Sequence, residues 1–174
     1  TGIYFDDAPD PKRWKKISED MELEIKPYRK NGNHILLCLQ RQNGWSMRGY
    51  DTEDWAADTI LELRRYTDRP LVLRPHPGDK GAVIRVANFV NRHKLDGVSI
   101  TDPARPLSAD LINCWAVVNH NSSPAVGAAI EGYPVFQTDV KRSQCNEIAN
   151  TDFSQIENPN LPGRKAWLAR LSMF

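Results

Sequence analysis

The chain has 174 residues, 40% hydrophobic and 26% charged, with 23 basic side chains against 22 acidic ones and a net charge of +1. Its mean hydropathy is −0.56. This composition describes one ordinary domain, large enough to bury a core. The near-even charge offers no global attraction for nucleic acid or an anionic membrane.

No apolar run approaches the roughly 18 residues that span a bilayer. No cationic start followed by an apolar stretch reads as a signal peptide. Cys38, Cys114 and Cys145 are odd in number, far apart and outside any C-x-x-C pair. They predict reduced, buried thiols in a cytoplasmic protein, and no metal site. The chain starts at Thr1 and stops at Phe174 just after an amphipathic segment. That reads as a fragment, one half of a two-domain protein.

Residues 1–33 are polar, with Pro9, Pro11 and Pro27 and a mixed-charge run from Lys12 to Lys30. They read as a linker or the remnant of a preceding domain. The basic run at 12–16 reads as a solvated face. Regular alternation begins at His34, so residues 34–174 are taken as the main domain.

Ile35 to Leu39 is a short continuous apolar run, the mark of a fully buried strand. A polar loop follows from Gln40 to Tyr50. Asp51 or Thr52 then caps a helix that carries Trp55, Ile60, Leu61 and Leu63 to about Tyr66. Leu71 to Leu73 is a second strand, ending at Arg74. A helix from Asp79 to about His93 turns Val83, Ile84, Val86, Ala87, Phe89 and Val90 inward. Residues 97–100 form a third strand, and Ser108–Asn113 a short helix with Leu111 and Ile112 inward.

Trp115 to Val118 is a fourth strand. Ser123 caps the next helix, Pro124 takes its first position, and Gly132 lies just past its end. Pro134 to Phe136 is a fifth strand. Two further helices are predicted near 143–149 and 164–173. Five apolar strands alternating with helices predict an α/β fold: a Rossmann-like parallel sheet with helices on both faces. Ligands of such sheets sit at the carboxyl ends of the strands, which selects the loops after Leu39, Leu73, Ile100, Val118 and Phe136.

Two of these loops carry anion-binding chemistry. In Arg74-Pro75-His76-Pro77-Gly78-Asp79, two prolines hold His76 in a rigid extended backbone. Its ring can donate an N–H to a phosphate, and Arg74 can add a forked donor. Alternatively, His76 simply stacks on a neighbouring helix. Asn119-His120-Asn121-Ser122-Ser123-Pro124 runs into a helix N-terminus, where the hydroxyls of Ser122 and Ser123 join unpaired backbone N–H groups. Alternatively, Ser123 only caps. The loop after the first strand adds Arg41 and a flexible Gly44. Its Trp45 either stacks on a base or sugar or pins the loop to the core.

The order of strands and helices, with "RPHP", "NHNSS" and "EGYPVF", resembles the C-terminal nucleotide-sugar-binding domain of GT-B glycosyltransferases. It is most similar to the capsule-polysaccharide and bacterial sialyltransferase-like branches, over roughly residues 34–140. The resemblance implies one half of a GT-B fold and metal-independent transfer of a sugar from a nucleotide-sugar donor, which is a substrate; no cofactor is implied.

It also implies that His76 and Pro77 contact the donor phosphate, with His76 stabilising the leaving group, and that Ser122 and Ser123 hold the same phosphate. Arg74 stands where related polymer-forming enzymes carry a basic residue. Arg41 and Asn121 complete the expected donor-binding set.

The sequence departs from the pattern at the ribose-binding Glu. Gly127 takes that place, and Glu131 lies four residues later as a weak substitute. Within residues 34–140 there is no acidic catalytic motif of the sialyltransferase kind, and Asp6-Asp7 near the start lacks the following Gly. The base is expected outside this chain, in an N-terminal GT-B half. The acceptor is a glycan by default, with a DNA base as a second possibility. Rival readings are a nucleotide-sugar 2-epimerase, a noncatalytic nucleotide- or phosphate-binding module, and a metal phosphoesterase using His76, His120 and Asp139.

Overall fold

The computed structural model describes residues 11–172. Asp6, Asp7 and the end of the helix expected to reach Met173 lie outside the described residues. The elements in chain order are α1 (Pro11–Asp20), β1 (His34–Cys38), α2 (Thr52–Leu63), β2 (Leu71–Arg74), α3 (Ala82–His93) and β3 (Val98–Ile100). They continue with α4 (Leu107–Asp110), β4 (Cys114–Asn119), α5 (Pro124–Ile130), β5 (Val135–Gln137) and α6 (Lys165–Leu171).

All strand pairs are parallel, in the order β3-β2-β1-β4-β5. This is the predicted Rossmann-like sheet. The strand order reverses between β1 and β4, which leaves a crevice at their carboxyl ends.

Period-two alternation along β1 sorts the core into two layers. Ile35, Leu37 and Leu39 pack with Trp55, Ile60 and Leu63 of α2 and Val86 and Phe89 of α3. Leu36 and Cys38 face the other way, against Ala125, Ala128 and Ala129 of α5 and Trp167 and Leu168 of α6. The three cysteines are buried and free. Burial pushes each thiol up to about 12, so each stays protonated and inert.

The segment before β1 is fastened to this second layer. Trp14 of α1 packs against it. Lys26 N–H donates to Ile130 O at 2.9 Å and Arg29 N–H to Gly132 O at 2.7 Å. Gly132 has φ 91°, and a Cβ there would stand 2.1 Å from the Pro27 carbonyl oxygen. Only glycine allows that close approach. The basic side chains at 12–16 are exposed, as a solvated face requires.

Some expectations need correction. Helix α3 begins at Ala82, three residues later than expected, and its buried residues are Ala82, Val86 and Phe89. Val83 and Ile84 are 41% and 69% exposed. The helix is therefore rotated from its apparent apolar face. Helix α4 is a single turn, and Ile112 is 66% exposed, because Asn113 turns left-handed at φ 58° to re-enter β4.

Residues 143–149 form turns, not a helix. Ser143 Oγ accepts from Cys145 N–H at 2.9 Å, a local bond that competes with helix formation. Asn150 must then arrive extended to pair beside Phe136. Among the described residues, no helix is long and apolar enough to cross a membrane.

Candidate functional site

The loops after β2 and β4 meet over the crevice between β1 and β4. Cys38, Leu39, His76, Pro77, Ser122 and Ser123 line one cleft of about 230 Å³, with Arg74 and Leu107 also in its wall. His76 and the serine pair, 46 residues apart or more in the chain, are thus brought to one place.

The geometry of His76 fixes its chemistry. Gly78 N–H donates to His76 Nδ1 at 2.9 Å. A backbone N–H can only donate, so in the neutral ring the proton sits on Nε2. That leaves an Nε2–H free to meet an anion. Gly78 permits the ring to fold back, since a Cβ there would stand 3.1 Å from His76 Cε1.

The loop is held beyond Pro77 by Asp79, which accepts from Gln42 N–H at 3.0 Å and Arg85 Nη2 at 2.7 Å. The bond to Arg85 holds the Asp79 carboxyl below its ordinary range against the opposing effect of burial. The acceptor therefore stays ionised at neutral pH.

The serines behave differently from expectation. Ser123 stands at the cap position of α5, but its backbone is helical (φ −63°, ψ −24°) and its hydroxyl makes no capping bond. A capping side chain needs the extended backbone that Ser123 lacks. Helix α5 has only 7 residues, so the weight of the anion argument moves to side chains. Ser122 Oγ is shielded from solvent and has no hydrogen-bond partner.

Three more buried side-chain oxygens share that condition among the described residues: Gln40 Oε1, Thr52 Oγ1 and Gln137 Oε1. All four lie at the carboxyl edge: after β1, at the start of α2, before α5 and at the end of β5. Unsatisfied buried polar atoms are few in native proteins. Of the four residues, Ser122 alone lines the cleft.

Arg74 needs correction as a free donor. Its Nη1 donates to the Asp110 carboxylate, and its Nη2 to the carbonyls of Arg105 at 2.7 Å and Pro103 at 3.4 Å. Asp110 also accepts from Thr101 Oγ1 at 2.8 Å. The guanidinium braces the wall of the cleft instead of forking toward an anion.

Asn121 is also engaged, accepting from Gln40 Nε2 at 2.8 Å and donating to Asp139 Oδ2 at 3.1 Å. Arg41 is exposed on its loop and does not line the cleft. Trp45 is 74% exposed, while Met47 is 2% exposed and pins the loop. Gln40 was not singled out from sequence, yet its amide joins Ser46 Oγ, at 2.6 Å, to Asn121. The available signal was its place as the first polar residue after an apolar strand.

His120 and Asp139 form a separate cluster. His120 Nδ1 lies 2.7 Å from Thr138 Oγ1, which also accepts from Trp55 Nε1 at 2.8 Å. His120 Nε2 stands 3.8 Å from Asp139, whose carboxylate also receives Arg142 at 3.0 Å. His76 lies apart in the cleft. Among the described residues, no three His, Cys, Asp or Glu side chains are placed to hold a metal ion. His76, His120 and Asp139 are therefore not gathered as one ligand set.

Burial lowers the His120 pKa from its ordinary 6.5, ahead of the opposing pull of Asp139. The unfolded chain then binds this proton more readily than the folded one. His120 accordingly favours folding above about pH 6.5, and that contribution fades as pH falls through the depressed value. The fall in urea midpoint from pH 7.5 to 5.5 is expected to shrink in His120→Gln. An unchanged fall would remove His120 from the acid response.

A second groove, of about 620 Å³, adjoins the cleft through Leu107 and is lined by Lys26, Arg29, Gly127, Glu131 and Tyr133 among others. Glu131 is paired with Lys26 Nζ at 2.6 Å. A Cβ on Gly127 would meet nothing within 4 Å. The place of the missing Glu is therefore open.

No protein-family model matches the sequence, and no curated protein does at a significant level. Solved structures do match. The chain is similar to Thermosulfurimonas dismutans KpsC, beta Kdo 2,7 transferase, at 14% identity and TM-score 0.53, covering 94% of this chain and 53% of that one. It is also similar to the KpsC beta Kdo 2,4 transferase of the same organism, at 16% identity and TM-score 0.49, covering 84% and 53%. The 2,7 transferase shares its fold with this chain. The chain spans about half the length of these neighbours.

Proposed function

We propose that this chain is the donor-binding part of a glycosyltransferase of the GT-B kind, taking a nucleotide-activated sugar. One observation carries the reading: a His76 ring whose tautomer leaves Nε2–H free lines the same cleft as Ser122, whose buried hydroxyl has no partner. Those donors suit a phosphate at a topological switch point. The fold shared with a beta Kdo 2,7 transferase supports the reaction class.

In this reading the leaving nucleotide's phosphate sits against His76 and Ser122. Charge grows on its oxygens as the glycosidic bond breaks, and fixed donors stabilise that charge without reorganising. The nucleoside extends past Leu107 into the groove beside Gly127 and Glu131. The acceptor base comes from a preceding half, to which residues 1–33 would lead.

Isothermal titration with UDP-, CMP- and GDP-sugars tests the proposal, followed by donor turnover with and without a glycan acceptor. Binding of one donor, and its consumption only with acceptor, is the expected result. Absence of binding by all three sugars and their free nucleotides would end the proposal. A sugar scrambled at C2 without acceptor would indicate the epimerase.

Ser122→Ala gives a test with opposite signs. Removing a buried hydroxyl that has no partner is expected to leave stability unchanged or raise it by about 1 kcal/mol. The same change should weaken nucleotide binding several-fold. Loss of stability with full binding would show that the hydroxyl serves the fold instead.

A further inference from the structure

Two of the buried oxygens without partners belong to glutamines, Gln40 and Gln137, and the two side chains are arranged alike. Gln137 is fully buried at the end of β5 and register-paired with Asn119, itself fully buried at the end of β4. The rungs before them are apolar: Val117 pairs with Val135, and Val118 with Phe136. An apolar pair would continue that ladder, whereas a buried amide with an unpaired oxygen is unfavourable. The sheet alone therefore does not explain the amides.

Their bonds do. Alternation places Asn119 and Gln137 on the same face as Val117 and Val135, toward the layer of α5. There Asn119 Nδ2 donates to the Ser122 carbonyl at 3.3 Å. A carbonyl can only accept, so the Asn119 amide has one permitted orientation, with Oδ1 turned to Gln137. Gln137 Nε2 donates to that oxygen at 2.8 Å, and its own Oε1 is left over. The second pair repeats the arrangement. Asn121 Nδ2 donates to the Asp139 carboxylate at 3.1 Å, which turns Oδ1 toward Gln40, and Gln40 Nε2 donates to it at 2.8 Å. Again the glutamine oxygen is left over.

Both pairs end on the loop that carries Ser122. We infer that Gln137–Asn119 and Gln40–Asn121 are pairs of positioning residues, which fix the backbone of the serine loop so that the Ser122 hydroxyl stands unpartnered in the cleft before any ligand arrives. A preset hydroxyl needs no reordering when an anion binds. That this hydroxyl meets a donor phosphate rests on the donor reading of the cleft; its placement by the two amide pairs does not.

Two variants test the inference. Asn119→Val/Gln137→Met replaces one pair by apolar side chains, and the Ser122 carbonyl keeps the Ala125 N–H, at 3.3 Å. Gln40→Met removes the donor of the other pair. Gln40 lies past the last residue of β1, so this variant leaves the sheet intact even where the double variant fails to fold. ¹⁵N relaxation of the free protein reads the order of the Ser122 and Ser123 amides. In both variants it should fall well below the rigid-backbone order parameter of about 0.85, while Val117 and Val118 stay rigid. Titration with CMP, UDP, GDP and inorganic pyrophosphate reads the consequence. Whichever probe the wild type binds should bind several-fold more weakly in each variant. Adding either variant to Ser122→Ala should bring no further loss, because the pairs act through that hydroxyl. Rigid serines in a variant overturn the assignment of its pair, and losses that multiply with that of Ser122→Ala overturn the route through Ser122. If no probe binds the wild type, the donor reading fails, and the relaxation result alone decides the positioning.

Discussion

His76→Ala is expected to lower glycosyl transfer by about 10²–10³-fold, with most of the loss in kcat. The reason is geometric. The Gly78 N–H occupies Nδ1 at 2.9 Å, so the ring has one remaining donor, and that donor shares the cleft with Ser122. A fixed donor aimed at charge that develops in the transition state is worth about 3–4 kcal/mol, which sets the scale of the loss. His76→Gln keeps an N–H near the position of Nε2 and should recover part of the rate. His76→Asn keeps the acceptor for Gly78 but falls short of the cleft, and should not. Stability should change by no more than about 1 kcal/mol, the worth of one hydrogen bond. Wild-type turnover in His76→Ala would remove the cleft from the mechanism.

The sheet was legible because its strands are continuous apolar runs punctuated by Asp, Gly and Pro. Leu71 to Arg74 and Trp115 to Val118 could be placed without knowledge of partners. Convergence of the His-Pro and Ser-Ser loops was also legible, because a parallel sheet delivers every strand end to one edge.

What the sequence hid was the occupancy of each side chain. Arg74 reads as a phosphate donor until Asp110 appears beneath it, 36 residues away. That pairing depends on where a single helical turn falls, and no local pattern encodes it. The Ser123 cap failed for a similar reason. Position and residue type were correct, but tertiary packing set a helical backbone there. Ile84 and Ile112 are apolar and read as core from their type alone, yet both are largely exposed.

The Arg74–Asp110 pair yields the second large effect. Its side chains are 10% and 4% exposed, so losing Asp110 strands the Arg74 charge in the interior, and losing Arg74 leaves the Asp110 carboxylate only the more distant Arg105, at 3.8 Å. Arg74→Met and Asp110→Ala should each cost about 3–5 kcal/mol of stability, read as a fall in urea midpoint. The double variant Arg74→Met/Asp110→Leu should cost less than the sum, because no lone charge remains. It should not reach neutrality, because Thr101 Oγ1 and the carbonyls of Pro103 and Arg105 lose their partners, at about 1–3 kcal/mol for each group left unsatisfied. Additive single effects would refute the coupling.

The same variants separate bracing from direct contact. If Arg74 only holds the cleft wall, Asp110→Ala should weaken nucleotide binding as much as Arg74→Met, since both free the turn from Pro103 to Arg105. If Arg74 touches the phosphate, only its own loss should be felt, and Asp110→Ala, by releasing the guanidinium toward the anion, should bind the nucleotide as tightly as wild type or more so.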